Sequence, residues 1–274
     1  MMKRLLPLIL AVVLLSSCAH EFNQVFKVNN SNYQYEYAKE LYARGKYQQA
    51  ATLLDGLITV MKGTEYGQEC LFMLAMAEYN MRDYETASTY FSKYYSGYPK
   101  GHYAELASFY KGQSLFMSTP EPRLDQTETY AAISAFQEYL DLFPNGTMKE
   151  EAQQRLFELQ DKLVKKEFLT AQLYYNLGPY FGNCTNGGNN YEACIVTSQN
   201  AIRDYPYSEL REDFAVLVMK SKFKLAEQSI ESKRIDRYRD AEDECYGFIN
   251  QYPDSEQRET AEKYIAACKK ILKD

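Results

Sequence analysis

The side chain best suited to a chemical reaction in this chain is the thiol of Cys18. Lys3 and Arg4 precede an apolar stretch over residues 5–15, and two serines then lead directly to the cysteine. A basic start, an apolar run too short to span a bilayer and small residues before a cut are typical of a secretory signal. A cysteine directly after the small residues completes the bacterial lipobox pattern. We therefore predict that residues 1–17 form a signal peptide and that Cys18 carries lipid; the alternative is an ordinary signal peptide with a chance cysteine.

Other kinds of chemistry have little support in the sequence. The two histidines, His20 and His102, lack a metal-ligand spacing, and the chain contains no Cys-x-x-Cys pair and no glycine-rich phosphate loop. We therefore predict no enzyme activity, no metal and no cofactor. Removal of the signal peptide takes away Lys3 and Arg4 and changes the formal net charge from −6 to −8. This acidic balance argues against nucleic acid as a partner, because phosphate binding requires a basic face.

Five cysteines remain besides Cys18, and an odd number excludes a complete set of intrachain disulfides. In an exported chain Cys184 and Cys194 are close enough in sequence to form one pair. However, Cys194 occupies a position where other repeats of the chain have alanine, as described next. We therefore favour an unpaired, buried Cys194 and leave the disulfide as the alternative.

One sequence phrase occurs four times and indicates the fold. An aromatic residue precedes a proline in Tyr98-Pro99, Phe143-Pro144, Tyr205-Pro206 and Tyr252-Pro253. Twelve residues before each proline stands a small residue, namely Ala87, Ala132, Cys194 or Ala241. The apolar spacing between these marks is helical, and a recurring period of this kind is typical of stacked helical units. We predict an all-α fold, an α-solenoid of about five tetratricopeptide-like helical hairpins.

The repeats divide the chain into four segments by sequence. After the signal peptide, residues 18–31 are polar and predict a lipidated N-terminus with a tether. Residues 32–160 hold repeats one to three, and residues 161–274 hold repeats four and five. The spacing between the prolines exceeds one repeat. The excess predicts insertions around residues 118–128, 182–190 and 230–237, together with an extra helix that ends near Leu177.

The repeat predicts where a ligand would bind. Each unit resembles the tetratricopeptide repeat: Ala75, Tyr84, Ala87, Phe91 and Pro99 fit one copy. Stacked hairpins form grooves suited to extended peptides, and residues four before and four after the packing alanine tend to line them. With one residue of slack, this rule gives a candidate aromatic peptide-binding pocket of Tyr35, Tyr42, Phe72 and Tyr79. The alternative is that these rings pack between repeats.

A lipobox followed by such repeats resembles the BamD family, the lipoproteins of the β-barrel assembly machinery. The resemblance is carried most clearly by Leu159-Gln160-Asp161-Lys162-Leu163 and by Ile202-Arg203-Asp204-Tyr205-Pro206. It implies an outer membrane protein assembly factor that faces the periplasm and is anchored in the bilayer by its acyl chains. The implied partners are the POTRA region of BamA, bound by the C-terminal repeats, and unfolded outer membrane β-barrel proteins, held by the N-terminal repeats.

The same resemblance directs attention to four charged residues as the candidate BamA-binding site: Arg203, Asp204, Arg211 and Glu212. Arginine pairs with carboxylates through two parallel hydrogen bonds, which makes it a good interface residue. The alternative for Arg203 or Asp204 is a contact between adjacent repeats. At the level of function, the alternative is another periplasmic repeat lipoprotein that scaffolds envelope machinery. A glycan-capturing lipoprotein of the SusD type is disfavoured, because the chain contains no tryptophan for stacking on sugars.

Overall fold

The computed structural model describes residues 21–180 and 189–273, and the regular elements in these residues are α-helices. Cys18, Cys184 and the predicted signal peptide therefore lie outside the described residues. Residues 21–27 are helical. The helices that follow are α1 Ser31–Ala43, α2 Tyr47–Val60, α3 Gly67–Asn80, α4 Tyr84–Gly97, α5 Ala104–Ser118, α6 Thr127–Leu142, α7 Lys149–Leu177, α8 Asn190–Asp204, α9 Arg211–Glu227, α10 Glu231–Gln251 and α11 Arg258–Leu272. The all-α prediction is confirmed, with five successive helical pairs and a closing helix among the described residues.

The chain forms two compact units by its internal contacts. The first contains residues 21–120 and 126–159, and the second contains residues 121–125 and 160–273. Helix α7 contributes its beginning to the first unit and its remainder to the second. The short segment 121–125 belongs with the second unit, where Lys166 Nζ donates a hydrogen bond to the carbonyl oxygen of Leu124 at 3.1 Å.

Packing in the first unit follows the small-and-large pattern of the repeat. Ala75, Ala87 and Ala132 are fully buried, and so are the rings of Phe91 and Phe136 four residues after the latter two alanines. The small residues allow neighbouring helices to approach closely, and the rings fill the space beside them.

A left-handed backbone residue ends the first helix of the first two hairpins. Gly45 has φ of 73°, which glycine adopts without steric cost. Arg82 stands 37 residues later in the corresponding position and also has a positive φ, of 65°. Asp83 then caps α4 by accepting a hydrogen bond from the backbone N–H of Thr86 at 3.1 Å. The turn therefore keeps its conformation in both copies, and Asp83 stabilises the second one.

The second unit packs helices α8 to α11 with the remainder of α7. Cys194, Ala241 and Cys245 are fully buried, and Cys194 carries a free thiol. Lys222 of α9 forms ion pairs of 2.8 Å with both Asp240 and Glu244 of α10. The charged pairs supplement the apolar packing between these two helices.

Two segments differ from the sequence-based expectations. Residues 21–27, which we expected to belong to a tether, are helical, and Val25 is buried in the core of the first hairpin. The insertion around 230–237 lengthens helix α10 at its beginning. Residues 149–177, where the sequence left open one long helix or two fused ones, form the single helix α7. Among the described helices, none is sufficiently long and apolar to cross a bilayer.

Candidate functional site

Tyr35 lies in the core, although the sequence rule assigned it to a peptide-binding pocket. Its side chain is 1% exposed, and its ring packs on that of Tyr66 with 5.2 Å between centroids. Burial, together with Glu69, raises the pKa of its hydroxyl. Tyr35 stands three residues before Ala38, so the helical period places it on the same packed face. A peptide could not reach this ring without opening the core, and Tyr35 is therefore removed from the candidate site.

Tyr42 and Tyr79 are half-buried and connect successive hairpins through their first helices. The hydroxyl of Tyr42 on α1 accepts a hydrogen bond from Asn80 Nδ2 on α3 at 3.2 Å. The ring of Tyr79 on α3 meets that of Tyr110 on α5 edge-on at 5.4 Å. Burial raises the pKa of both Tyr42 and Tyr79 above the ordinary tyrosine value, which already keeps the hydroxyl protonated at neutral pH. Rings with available hydroxyls are suited to extended peptide backbones.

Phe72 makes most of its ring contacts with α4 and the start of α5. It stacks on Tyr103 with 4.5 Å between centroids and 10° between planes, and it meets Phe91 and Tyr94 edge-on at 5.8 Å each. These contacts join α3 to α4 and to the start of α5. Phe72 therefore has a packing role, and it packs against the same buried core as Tyr79, whereas Tyr42 packs against the core of the first hairpin.

The line of side chains through α1 and α3 continues onto α5 and α7. Gln113 of α5 accepts a hydrogen bond from Arg155 Nε of α7 at 3.3 Å. The guanidinium of Arg155 lies 4.9 Å from the centroid of the Phe116 ring and forms ion pairs with Glu151 and Glu158. We define the aromatic row as Tyr42, Tyr79, Tyr110 and Phe116, with Arg155 at its far end.

Sequence reasoning missed part of the aromatic row for an identifiable reason. Phe116 stands four residues after Gly112, the small residue of the third repeat, so the same spacing rule would have found it. Tyr110 stands two residues before Gly112 and lies outside that rule. Arg155 carries no repeat signal, because it lies on α7, a helix much longer than a normal repeat helix.

The four charged candidates in the second unit do not form one patch. Arg203 and Asp204 end α8 and pair with each other at 2.9 Å, with 71% and 53% of their side chains exposed. Arg211 Nη1 instead donates to the carbonyl oxygens of Ile202 and Pro206, at 3.4 and 3.3 Å. Arg211 thus fastens the turn that precedes α9, and a structural role accounts for its position.

Glu212 lies on a cleft of about 610 Å³ within the second unit. We define the acidic cleft by its charged side chains, which are Glu209, Glu212, Asp213, Lys220, Asp254 and Glu256. Five of these six carry negative charge, so the cleft favours a basic ligand. Phe168, Val216 and Leu217 add apolar surface between the charges, which suits a segment with both basic and apolar residues.

The described residues contain no group of three or more histidine, cysteine, aspartate or glutamate side chains arranged to hold a metal ion. The arrangements found are surfaces: a row of rings in the first unit and a charged cleft in the second. Such surfaces bind chain segments of other molecules through side-chain packing and charge.

Comparison with known proteins gives a family match over more than half of the chain. The family model YfiO, described as an outer membrane lipoprotein, matches residues 28–186, which is more than half of the chain. The outer membrane protein assembly factor BamD of Pasteurella multocida (strain Pm70) is 24% identical over 141 residues, which cover 47% of this chain and 54% of that protein. The chain thus matches about half the length of this curated relative.

Among solved structures, the complex of the TPR2AB domain of yeast Sti1 with pHSP90 aligns with 87% of this chain and 98% of that chain. The sequence identity is 11% and the TM-score is 0.40. The family match, in contrast, extends from before α1 through the whole of α7, and thus over the entire first unit from α1 onward. The chain belongs to the YfiO family of outer membrane lipoproteins, which is the BamD family that its lipobox and repeats predict.

Proposed function

We propose that this protein is an assembly factor for outer membrane β-barrel proteins, anchored by lipid on Cys18 and facing the periplasm. The observation that carries the proposal is the outer membrane lipoprotein family match over residues 28–186. The name of the Pasteurella multocida relative, outer membrane protein assembly factor BamD, supports the same role. In this role the chain is a scaffold whose two units bind different segments of other proteins.

We assign the capture of unfolded barrel proteins to the aromatic row. Full burial of one large apolar side chain contributes about 1.5–3 kcal/mol before ordering costs. The rings of Tyr42 and Tyr79 are already half-buried, so each has only part of this contribution left to give. Several such contacts produce a modest affinity, which suits a factor that must release its substrate to an insertion machine.

We assign the POTRA region of BamA to the second unit. Arg203 and Asp204 offer an exposed pair of opposite charges, and the acidic cleft offers net negative charge around an apolar floor. Because the Arg203–Asp204 pair is highly exposed, it contributes little to folding and remains free to exchange partners. Arg211 is left out of this interface because its guanidinium already binds two backbone carbonyls.

The test is copurification of BamA with the tagged lipoprotein from detergent-solubilised outer membranes. Arg203→Glu is compared with Arg239→Glu, an equal charge change at a residue of similar exposure, 66%, on α10. Glu212→Lys is compared with Glu259→Lys, since each glutamate is the second residue of its helix. Both substitutions place a lysine where the helix dipole disfavours it. Glu259→Lys also removes an exposed ion pair with Lys263, so it is the more demanding control for folding.

We expect Arg203→Glu and Glu212→Lys to reduce the recovery of BamA several-fold, and the two control variants to leave it unchanged. Circular dichroism should give equal helicity for all four proteins. Full recovery of BamA with both Arg203→Glu and Glu212→Lys would remove the interface from this part of the second unit. Absence of BamA from the wild-type preparation would defeat the proposed assembly role itself.

A further inference from the structure

The segment before the first repeat is fixed to the first hairpin. Val25 is 3% exposed and belongs to the core that α1 and α2 form. The side-chain Nε2 of Gln34, which has two hydrogens to donate, lies within hydrogen-bonding distance of the carbonyl oxygens of Val25, Phe26 and Val28, at 3.3, 3.1 and 3.0 Å. The last carbonyls of a helix lack partners within the helix, so Gln34 supplies the missing donor to the end of segment 21–27. The segment therefore moves with the first hairpin.

The end of this segment and the beginning of α1 present large apolar side chains to solvent. Phe26 is 52% exposed, Val28 is 41% exposed and Tyr33 is 51% exposed, all within eight residues of the chain. We call these three residues the N-terminal patch. Because burial of these apolar surfaces is favourable, such a concentration of exposed apolar side chains is typical of a surface that binds another protein or a membrane. Lys27 is the one charged residue between Phe26 and Tyr33, so the patch is nearly neutral.

The position of the patch along the chain identifies what it contacts. Only Ala19 and His20 separate Cys18 from Glu21, the first residue that the structure describes. Three residue steps reach at most about 11 Å when fully extended. If Cys18 carries the acyl chains, as the proposed function requires, segment 21–27 begins within that distance of the anchored residue. An exposed phenylalanine and tyrosine so close to a bilayer match the aromatic residues that settle at the membrane–water interface.

We propose that Phe26, Val28 and Tyr33 insert into the interfacial layer of the membrane and seat the first hairpin on its surface. This inference rests on the proposed acylation of Cys18 and adds a second, non-covalent attachment. Tyr33 and Tyr42 are nine residues apart on α1, which is about 14 Å along a helix. The aromatic row would thus begin close to the bilayer, and captured barrel segments would be held near the place of insertion.

The absence of tryptophan from the chain allows a direct test. The acylated Phe26→Trp protein is reconstituted into vesicles of phosphatidylethanolamine and phosphatidylglycerol, with or without brominated acyl chains. We expect a blue-shifted emission that brominated lipid quenches several-fold. The control is the acylated Tyr207→Trp protein, because Tyr207 is 97% exposed in the turn after α8. Its emission should stay at long wavelength and unquenched.

A further variant distinguishes the contribution of the N-terminal patch from that of the short link between Cys18 and Glu21. Val28→Asp and Tyr33→Asp, added to Phe26→Trp, place charge on exposed positions and should reduce the quenching several-fold while helicity is retained. Unchanged quenching would mean that the connection alone holds residue 26 near lipid, and the proposal would be wrong. A blue shift in Phe26→Trp without bromine quenching would also overturn it, since a protein surface would then cover the residue.

The vesicle experiment also distinguishes this inference from the proposed function. Protein that floats with the vesicles, carries acyl chains on Cys18 by mass spectrometry and yet shows no quenching of Phe26→Trp defeats the N-terminal patch alone. Protein that carries no acyl chain on Cys18 defeats the proposed anchoring, and this inference fails with it.

Discussion

Tyr94 and Tyr139 accept equivalent backbone hydrogen bonds one repeat apart. Each is buried and stands five residues before the proline that follows its helix. The hydroxyl of Tyr94 accepts a hydrogen bond from the backbone N–H of Tyr103 at 3.1 Å, and that of Tyr139 accepts from the N–H of Met148 at 3.1 Å. Each tyrosine therefore ties the turn after its own helix to the beginning of the next one.

The two tyrosines differ in the group to which they donate. The hydroxyl of Tyr94 donates to the side-chain oxygen of Gln68 at 3.2 Å, whereas that of Tyr139 donates to a carboxylate oxygen of Glu105 at 3.1 Å. Glu105 also accepts hydrogen bonds from the backbone N–H and the hydroxyl of Thr147. The same connection is thus neutral in one repeat and charged in the next.

This difference predicts an acid-sensitive contact at Glu105. Burial alone would raise the pKa of Glu105, but the hydrogen bonds from Thr147 and Tyr139 outweigh it and lower the pKa. Since the pKa is lower in the folded state, the contribution to stability is present above the ordinary glutamate pKa of about 4.3. It is lost as the pH falls through the folded value. Glu105→Gln should lower the free energy of unfolding by about 1 kcal/mol at pH 7, with a smaller difference at pH 3.

Urea unfolding at pH 7 and pH 3 measures this difference. Glu128→Gln is the control, because Glu128 is an exposed first-turn glutamate of α6. We expect the control to be nearly neutral at both pH values. A destabilisation by Glu105→Gln that is equal at pH 7 and pH 3 would show that the charge of Glu105 does not contribute.

The close packing of Gly112 predicts an unusual response to alanine. A Cβ atom on Gly112 would lie 3.0 Å from the ring of Phe136, which is fully buried. The same substitution at Gly56, inside α2, meets no atom within 4 Å. Gly56→Ala should raise the free energy of unfolding by about 0.5–1 kcal/mol, because alanine favours a helix. Gly112→Ala should lower it by about 1–3 kcal/mol, because the ring must move. Thermal unfolding of the pair tests this, and a stabilised Gly112→Ala protein would contradict it.

Burial predicts that the cysteines of the described residues resist labelling. Cys70, Cys194, Cys245 and Cys268 are fully buried. Burial raises the pKa of Cys70 and Cys245 to about 12 each and that of Cys268 to about 11, which leaves almost no reactive thiolate at neutral pH. In a Cys18→Ala protein kept free of reductant, maleimide should react slowly with these four cysteines before denaturation and with five thiols in all after denaturation. Three thiols after denaturation would instead reveal a disulfide.

Much of the fold was predictable because proline stops helices. Helices α4, α6, α8 and α10 each end two residues before a proline of the repeated phrase, since proline cannot continue the hydrogen-bond ladder. The small residue twelve positions earlier then identifies the packed face. These signals are local and recur, so the helices and their pairing could be predicted from the sequence alone.

The candidate sites were less predictable because they depend on contacts between repeats. The burial of Tyr35 depends on the packing of its ring on that of Tyr66. The role of Arg211 depends on a carbonyl oxygen, that of Pro206, which lies within hydrogen-bonding distance of its guanidinium only in the folded turn. The sequence of residues 21–27, polar and short in periodic signal, predicts a tether, and the burial of Val25 depends on its contacts with the first hairpin. Local pattern therefore predicts elements, while the contacts that select a surface require the packed structure.

Arg211 has a counterpart that predicts its structural role. Arg258 Nη1 donates to the carbonyl oxygen of Pro253 at 3.1 Å, five residues earlier, as Arg211 does to Pro206. Arg211→Ala and Arg258→Ala should each lower the free energy of unfolding by about 1 kcal/mol, the net value of a largely exposed hydrogen bond to a charged donor. Chemical denaturation measures both. A fully stable Arg211→Ala protein that nonetheless fails to bind BamA would return Arg211 to the interface.

If the aromatic row binds peptides, removal of two of its rings should reduce peptide capture while the protein remains folded. In Tyr42→Ala with Tyr79→Ala, one ring is removed from α1 and one from α3. Photo-crosslinking to peptides from the C-terminal ends of barrel proteins should fall about tenfold, because part of the burial energy of two rings is lost. The control protein carries Tyr130→Ala and Tyr207→Ala, since these rings are 59% and 97% exposed outside the row.

Circular dichroism and urea unfolding establish that both double variants remain folded. A third protein with Tyr42→Phe and Tyr79→Phe separates the contribution of the rings to peptide capture from that of the hydroxyls. The phenylalanine protein keeps the packing surface, so it should retain most of the capture and lose only the part that depends on hydrogen bonds to the peptide backbone. Equal capture by the folded Tyr42→Ala with Tyr79→Ala protein and by wild type would assign both rings to packing between repeats. The barrel-protein site would then have to lie away from the aromatic row.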